Sequence, residues 1–126
     1  MSTHITTGVD IIEIERIERA IMRWNQRFLQ RIYTEGELEY CRGRAQSLAG
    51  RFAAKEATSK ALGVGIRVLR WRDIEILPDA RGKPHVFLHN RAAEIAGLQG
   101  LGGFDVSITH SRGNALAFVV AWGEGA

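Results

Sequence analysis

The period of the hydrophobic pattern changes once along the chain, and that change limits the folds open to it. From Ile14 to Leu62 apolar residues recur at steps of three and four, whereas from Asp73 onward they alternate. The first spacing gives a helix one apolar face; the second does the same for a strand. Ile14, Ile17, Ile21, Trp24 and Phe28 form the first helical face, and propensity leaves open whether that helix passes Asn25 unbroken. Thr34 and Glu37 have the spacing of a capping box and predict a second helix reaching about Cys41. Ser47 is expected to cap a third helix, Leu48 to Leu62, which Gly63 stops. Ahead of the helices, Ile5 to Asp10 is β-prone and reads as a short first strand. Behind them, Asp73 to Leu77 and His85 to His89 read as a hairpin with a long loop, Pro78 to Pro84. Asn90 is expected to cap a short helix to about Ala96, and Gly97 to Gly103 to form a glycine-rich connection. Val106 to Thr109 and Ala115 to Trp122 then flank Ser111-Arg112-Gly113-Asn114 as a second hairpin. A strand, three helices and mostly antiparallel strands predict an α+β fold.

The 126 residues suit one domain, 1–126, with an ordinary balance of 45% hydrophobic and 25% charged residues. The single cysteine, Cys41, rules out an internal disulfide, and no zinc-type spacing of Cys and His is present. The longest apolar stretch, Ala115 to Trp122, is far short of the ~20 residues of a membrane span. Met1-Ser2-Thr3-His4 lacks both the basic start and the apolar run of a signal peptide, so a cytoplasmic setting is expected. The net charge is +3, from 17 basic and 14 acidic residues, and its distribution says more than its size. Arg16, Arg19, Arg23, Arg27 and Arg31 are spaced to line one stripe of the first helix. A nucleic acid, a phosphorylated cofactor or an acidic protein would each complement that stripe.

Several polar residues stand where chemistry could occur. Glu56 and Lys60, four apart, are neighbours on one helical face. As a surface ion pair they would contribute only about a few tenths of a kcal/mol. Phe52 and Ala53, one turn earlier, put Glu56 at the margin of the apolar face, where a carboxylate suits a metal ligand or a base. Asp10 ends the first strand, either as a site residue at the sheet margin or as a helix N-cap with Glu13 completing the box. His110 follows an apolar strand and, with Thr109 and Ser111, opens a turn able to donate to phosphate. Gly82-Lys83-Pro84 reads by itself as a hairpin turn. No Walker loop, G-x-G-x-x-G or G-x-S-x-G is present, which argues against P-loop, Rossmann and α/β-hydrolase chemistry.

Taken together, these segments carry a resemblance. Gly8-Val9-Asp10-Ile11-Ile12-Glu13-Ile14-Glu15-Arg16-Ile17 resembles the opening motif of the holo-[acyl-carrier-protein] synthase family. Ala49-Gly50-Arg51-Phe52-Ala53-Ala54-Lys55-Glu56-Ala57-Thr58-Ser59-Lys60-Ala61 resembles its signature helix. Val106-Ser107-Ile108-Thr109-His110-Ser111 resembles its closing strand motif, and Gly82-Lys83-Pro84 the turn between. The motifs stand in order and span nearly the whole chain.

What the resemblance implies is a small stand-alone 4'-phosphopantetheinyl transferase of fatty acid biosynthesis. Such an enzyme moves 4'-phosphopantetheine from coenzyme A to a serine of apo acyl carrier protein, leaving adenosine 3',5'-bisphosphate. The family is a homotrimer with active sites at subunit interfaces, each using Mg2+, with Mn2+ as a possible substitute. On this resemblance Asp10 and Glu56 are metal ligands and, with Lys60, the catalytic set. Lys60 also contacts phosphate. Gly82, Lys83, Pro84, Arg51, Thr109 and His110 belong to the coenzyme A site. Acyl carrier proteins are small and acidic, so Arg16, Arg19, Arg23 and Arg27 acquire a partner, and neither nucleic acid nor membrane is implied.

Elementary chemistry agrees with these roles. Mg2+ prefers hard oxygens and typically binds one or two carboxylates together with substrate phosphates. Lys60 would add a point charge to the same oxygens. The attacking serine must lose a proton, to Glu56 or, preferably, to a water held beside the cation, because a carboxylate bound to a cation has a lowered proton affinity. Two rivals predict other features. An RNA-binding module needs aromatic residues interleaved with basic ones on an exposed sheet face, whereas Phe87 and Phe118 fall in apolar runs that read as core. A coenzyme A-binding regulator without turnover would be expected to lack Asp10 or Glu56.

Overall fold

Strand β1 spans His4–Glu13, longer at both ends than the sequence suggests. It pairs throughout with the last strand, β5 (Asn114–Gly123), in an unbroken antiparallel register from His4↔Gly123 to Glu13↔Asn114. The computed structural model describes residues 3–126, so Met1 and Ser2 of the N-terminal segment considered above lie outside it. Asp10 therefore lies within a strand rather than at its end. It is not an N-cap: Glu13 precedes the first helix and makes no side-chain cap bond.

The first helical pattern folds as two helices, α1 (Ile14–Trp24) and α2 (Gln26–Ile32). Asn25 breaks it with a left-handed φ of 52°, a conformation Asn tolerates better than most residues. The expected single arginine stripe is thereby divided, with Arg16, Arg19 and Arg23 on α1 and Arg27 and Arg31 on α2. α3 (Glu35–Cys41) opens with the predicted capping box. The Thr34 hydroxyl accepts from the Glu37 amide at 3.2 Å, and the Glu37 carboxylate accepts from the Thr34 amide at 2.8 Å.

The next helix, α4 (Ala45–Ala61), begins before Ser47, with Arg44 at its N-cap and no side-chain cap bond. Gly63 follows its end at φ 73°, as a helix stop should. A 3-10 turn, Trp71–Asp73, leads into β2 (Ile74–Pro78), which pairs antiparallel with β3 (Pro84–Leu88). α5 (Asn90–Leu98) has His89 at its N-cap rather than Asn90, whose side-chain amide instead donates to Asp73 Oδ1 at 3.2 Å. The glycine-rich connection is shorter than expected because β4 (Leu101–Ser111) starts inside it. Gly103 is needed there, since a Cβ would fall 2.2 Å from an atom of the Trp122 indole.

The main sheet has the order β1-β5-β4, all antiparallel, and α4 lies across its inner face. The seam between them is built from small residues. Ala53, Ala57 and Ala61 of α4 and Ala115, Ala117 and Ala121 of β5 are all buried. α4 is covered on most sides and carries Lys55 at 0% exposure, paired at 2.7 Å with Glu37, also at 0%. Lys55 Nζ also donates to the carbonyls of Trp71 and Ile74, and Glu37 Oε2 accepts from the Ile76 amide. This network joins α3, α4 and β2.

The outer face of the sheet is open and apolar, with Ile5, Val9, Ile11, Phe118 and Trp122 all exposed. Phe118, expected in the core, is on this face, and Phe87 is likewise 47% exposed on β3. An apolar run fixed their strands but not which face each residue would take.

Candidate functional site

Strand alternation puts Thr6, Gly8, Asp10 and Ile12 on the inner face of β1, against α4. Asp10 meets the last turns of that helix. Its Oδ1 lies 3.2 Å from Lys60 Nζ, which also donates to the Val9 carbonyl at 2.9 Å. Glu56 is one turn back on α4 and half-buried. Its carboxyl is raised above the ordinary range first by burial and then by the negative charge of Asp10, with Lys60 pulling the other way. Two carboxylates and an ammonium thus gather at the β1 edge of the sheet. Among the described residues no cluster of three or more His, Cys, Asp or Glu stands where it could hold a metal unaided.

The remaining candidates collect elsewhere. His110 is in β4, not in the turn after it, and faces inward. Its Nε2–H donates to the Gln46 carbonyl at 3.0 Å, and the ring lies against Gly50 at the start of α4. Thr109 and Ser111, being odd neighbours of His110 on a strand, project from the outer face, so the three do not form one donor group within a chain. Lys83 reaches β4 from the β2–β3 loop, with Nζ 2.8 Å from Asp105 Oδ1. Gly82 takes φ 87° in that loop, and Asp79 Oδ1 holds it by accepting from the amides of Arg81 and Lys83.

Arg51, on α4, is 6% exposed. Its guanidinium stands 4.4 Å from the centroid of the Tyr40 ring, and its buried Nε finds no partner. Arg44 covers the same ring at 5.5 Å while donating to the carbonyls of Tyr40 and Cys41.

β1 and β4 flank β5, so the Asp10 cluster and the His110–Lys83 group occupy opposite edges of the sheet, about 10 Å apart by strand spacing. Within one chain the structure does not bring them together. Arg16, Arg19, Arg23, Arg27 and Arg31 are exposed, and Arg27 and Arg31 line a groove of about 430 Å³ with Trp24, Phe28, Ile32 and Trp71.

Sequence reasoning overlooked Tyr40, Arg44, Trp71 and the partnership of Lys55 with Glu37. Lys55, inside an alanine-rich run immediately before Glu56, carried the only local signal, a cation directly following Phe52, Ala53 and Ala54.

Residues 6–118 match the family model of the 4'-phosphopantetheinyl transferase superfamily. The holo-[acyl-carrier-protein] synthase of Herpetosiphon aurantiacus is 48% identical over 126 residues, covering 94% of this chain and 99% of that protein. That of Alkaliphilus metalliredigens is 49% identical over 118 residues, covering 90% and 95%. The crystal structure of Helicobacter pylori holo-[acyl-carrier-protein] synthase in complex with coenzyme A superposes with a TM-score of 0.84 at 36% identity, over 91% of this chain and 98% of that one.

Proposed function

Since the chain belongs to the 4'-phosphopantetheinyl transferase superfamily, and is an enzyme of its holo-[acyl-carrier-protein] synthase group, we propose how its own residues carry out the transfer. Coenzyme A is the donor, a serine of apo acyl carrier protein the acceptor, and adenosine 3',5'-bisphosphate the leaving group. The serine oxygen bonds to the phosphorus of phosphopantetheine as the bond to the nucleotide's oxygen breaks.

Asp10 and Glu56 fit a magnesium ion. They offer two hard carboxylate oxygens at one place, with room left for substrate phosphates, and their mutual repulsion calls for a cation. When bound, that ion supplies charge neutralisation at the pyrophosphate and the transferring phosphoryl group. Lys60, already aimed by the Val9 carbonyl, adds a second positive charge to the phosphate oxygens. Glu56, or a water it holds, takes the proton from the serine. No covalent enzyme intermediate is required, and buried Cys41 takes no part.

Lys83, Gly82, Pro84, Thr109, His110 and Arg51 serve the coenzyme A end. Arg51 supports this role through its unpartnered Nε and its stacking on Tyr40, a cation held rigid and short of an acceptor. Because His110 and Lys83 stand at the β4 edge of the sheet and the Asp10 cluster at the β1 edge, we take each complete site to draw on two copies of the chain. The exposed apolar face of β1 and β5 supplies surface for that assembly, which we take to be a homotrimer of single-domain chains. Its outward residues include Asp105 and Glu13 and no Lys or Arg, a poor match for nucleic acid.

The meeting of Asp10, Glu56 and Lys60 carries the reading. The test is to incubate the protein with apo carrier protein, coenzyme A and Mg2+ and weigh the carrier by mass spectrometry. Transfer adds one phosphopantetheine; an unmodified carrier, where a known transferase works, would sink the proposal. Repeating the reaction in chelator tests the metal, and chromatography of the nucleotide tests the leaving group.

A further inference from the structure

Gly8 is the point at which β1 and α4 come closest. A Cβ built there would stand 1.8 Å from the carbonyl oxygen of Ala57 and 2.9 Å from the amide nitrogen of Ala61. Both are backbone atoms, so no side chain can rotate away to make space. Relief would require the helix and strand to part by more than an ångström. Nor is the layer generally short of room, because Val119, opposite Gly8 on β5, keeps a full side chain on the same inner face.

The residues around this contact are those of the candidate site. Ala57 follows Glu56 and Ala61 follows Lys60 on α4, while Val9 and Asp10 follow Gly8 on β1. Lys60 Nζ spans the junction, at 2.9 Å from the Val9 carbonyl and 3.2 Å from Asp10 Oδ1. We propose that Gly8 is a positioning residue for the transfer. By lacking a Cβ, it lets the helix bearing Glu56 and Lys60 seat on the strand bearing Asp10, and it sets their separation. This rests on the reading of Asp10, Glu56 and Lys60 as the site. Strand alternation then makes the dependence direct, since residues 8 and 10 share a face and cannot move independently by an ångström.

The experiment compares Gly8→Ala with Val119→Ala, which hollows the same layer without wedging it. Thermal unfolding, kcat, both Michaelis constants and a crystal structure are measured for each. Gly8→Ala should lose about 100-fold in kcat, the loss an ångström of misplacement can cause, with the Michaelis constant for the carrier little changed. Its crystal structure should show Lys60 drawn away from Asp10. Val119→Ala, at a similar or larger loss of melting temperature, should keep kcat near wild type. If the two variants lose kcat in proportion to lost stability, or if the Lys60–Asp10 separation is unchanged in Gly8→Ala, the proposal is overturned. If Gly8→Ala does not fold while Val119→Ala does, the contact is a folding determinant only, which also overturns the proposal. A fully active Glu56→Gln would bring down the site itself, whereas a fully active Gly8→Ala beside an inactive Glu56→Gln would remove Gly8's role alone.

Discussion

Glu56 and Lys55 are adjacent in sequence and opposite in circumstance. Glu56 sits at the edge of solvent, its carboxyl raised by burial and by Asp10. Replacing it with Gln keeps the volume and one acceptor oxygen but removes the charge, so turnover should nearly vanish while the circular dichroism spectrum stays native. Lys55 is fully enclosed, with all three of its hydrogens donated. Lys55→Met would strand Glu37 as a buried charge and should cost about 3–5 kcal/mol in urea unfolding. Burial pushes Lys55 down and Glu37 up, and the charge of each opposes that push on the other. Glu75 provides the pH handle. Burial alone would raise its carboxyl, but hydrogen bonds from Thr34 and His89 outweigh burial and leave it below the ordinary range. A carboxyl lowered in the folded state stabilises above its unfolded value, and that stability is lost as pH falls through the lowered one. Glu75→Gln should therefore be less stable than wild type near neutrality and should show a flatter acid limb in unfolding measured against pH.

Elements were legible where a local rule governs them. The α3 capping box depends on residues three apart, and it formed as read. Thr34 also donates to Glu75 on β2, so Thr34→Ala loses a cap and a tertiary tie. The cap alone is worth about 1 kcal/mol, measurable as a lower urea midpoint with an unchanged slope. The break at Asn25 was not legible, because α1 and α2 continue one apolar spacing and only tertiary packing decides where the axis turns. Strand ends ran past their expectations for a similar reason. Pairing partners extend the ladder through Gly103 to Leu101, past a register shift at Gly102, where local propensity would leave loop. As for the site, Asp10, Glu56 and Lys60 could be named from motifs, but that Lys60 meets Asp10 beside Glu56 depends on β1 lying under α4, some fifty residues away in the chain. His110 could be named too, yet its true face required the strand to extend beyond Thr109.

At the scale of the whole molecule, the proposed assembly rests on an open apolar sheet face and on candidate site residues divided between two sheet edges. Light scattering at micromolar concentration should give three times the 14.0 kDa chain mass, and a monomer would count against the arrangement. Glu56→Gln mixed with Lys83→Ala should recover part of the lost activity, because some sites in mixed assemblies would draw both intact residues from different copies. For the exposed arginines of α1 we propose a role toward the carrier instead. Arg16→Glu should raise the Michaelis constant for the carrier and leave that for coenzyme A almost unchanged, with wild type losing carrier affinity in salt more steeply than the variant. Equal weakening toward both substrates would move Arg16 to the nucleotide site or the fold.

The alanine seam between α4 and the sheet has a consequence for anyone wishing to re-engineer the protein. Cores are commonly strengthened by adding methylenes to vacant space, and overfilled ones lose about 1–3 kcal/mol instead. Where Gly8 meets Ala57 and Ala61, helix and sheet stand almost backbone to backbone, so bulk added at that contact has nowhere to go except into the distance between them. A library that randomises this layer should return the parental residues, and hardier versions should come from outside it. Heat tolerance in this protein is to be sought in its surface and loops, while the contact at Gly8 is already at its minimum thickness.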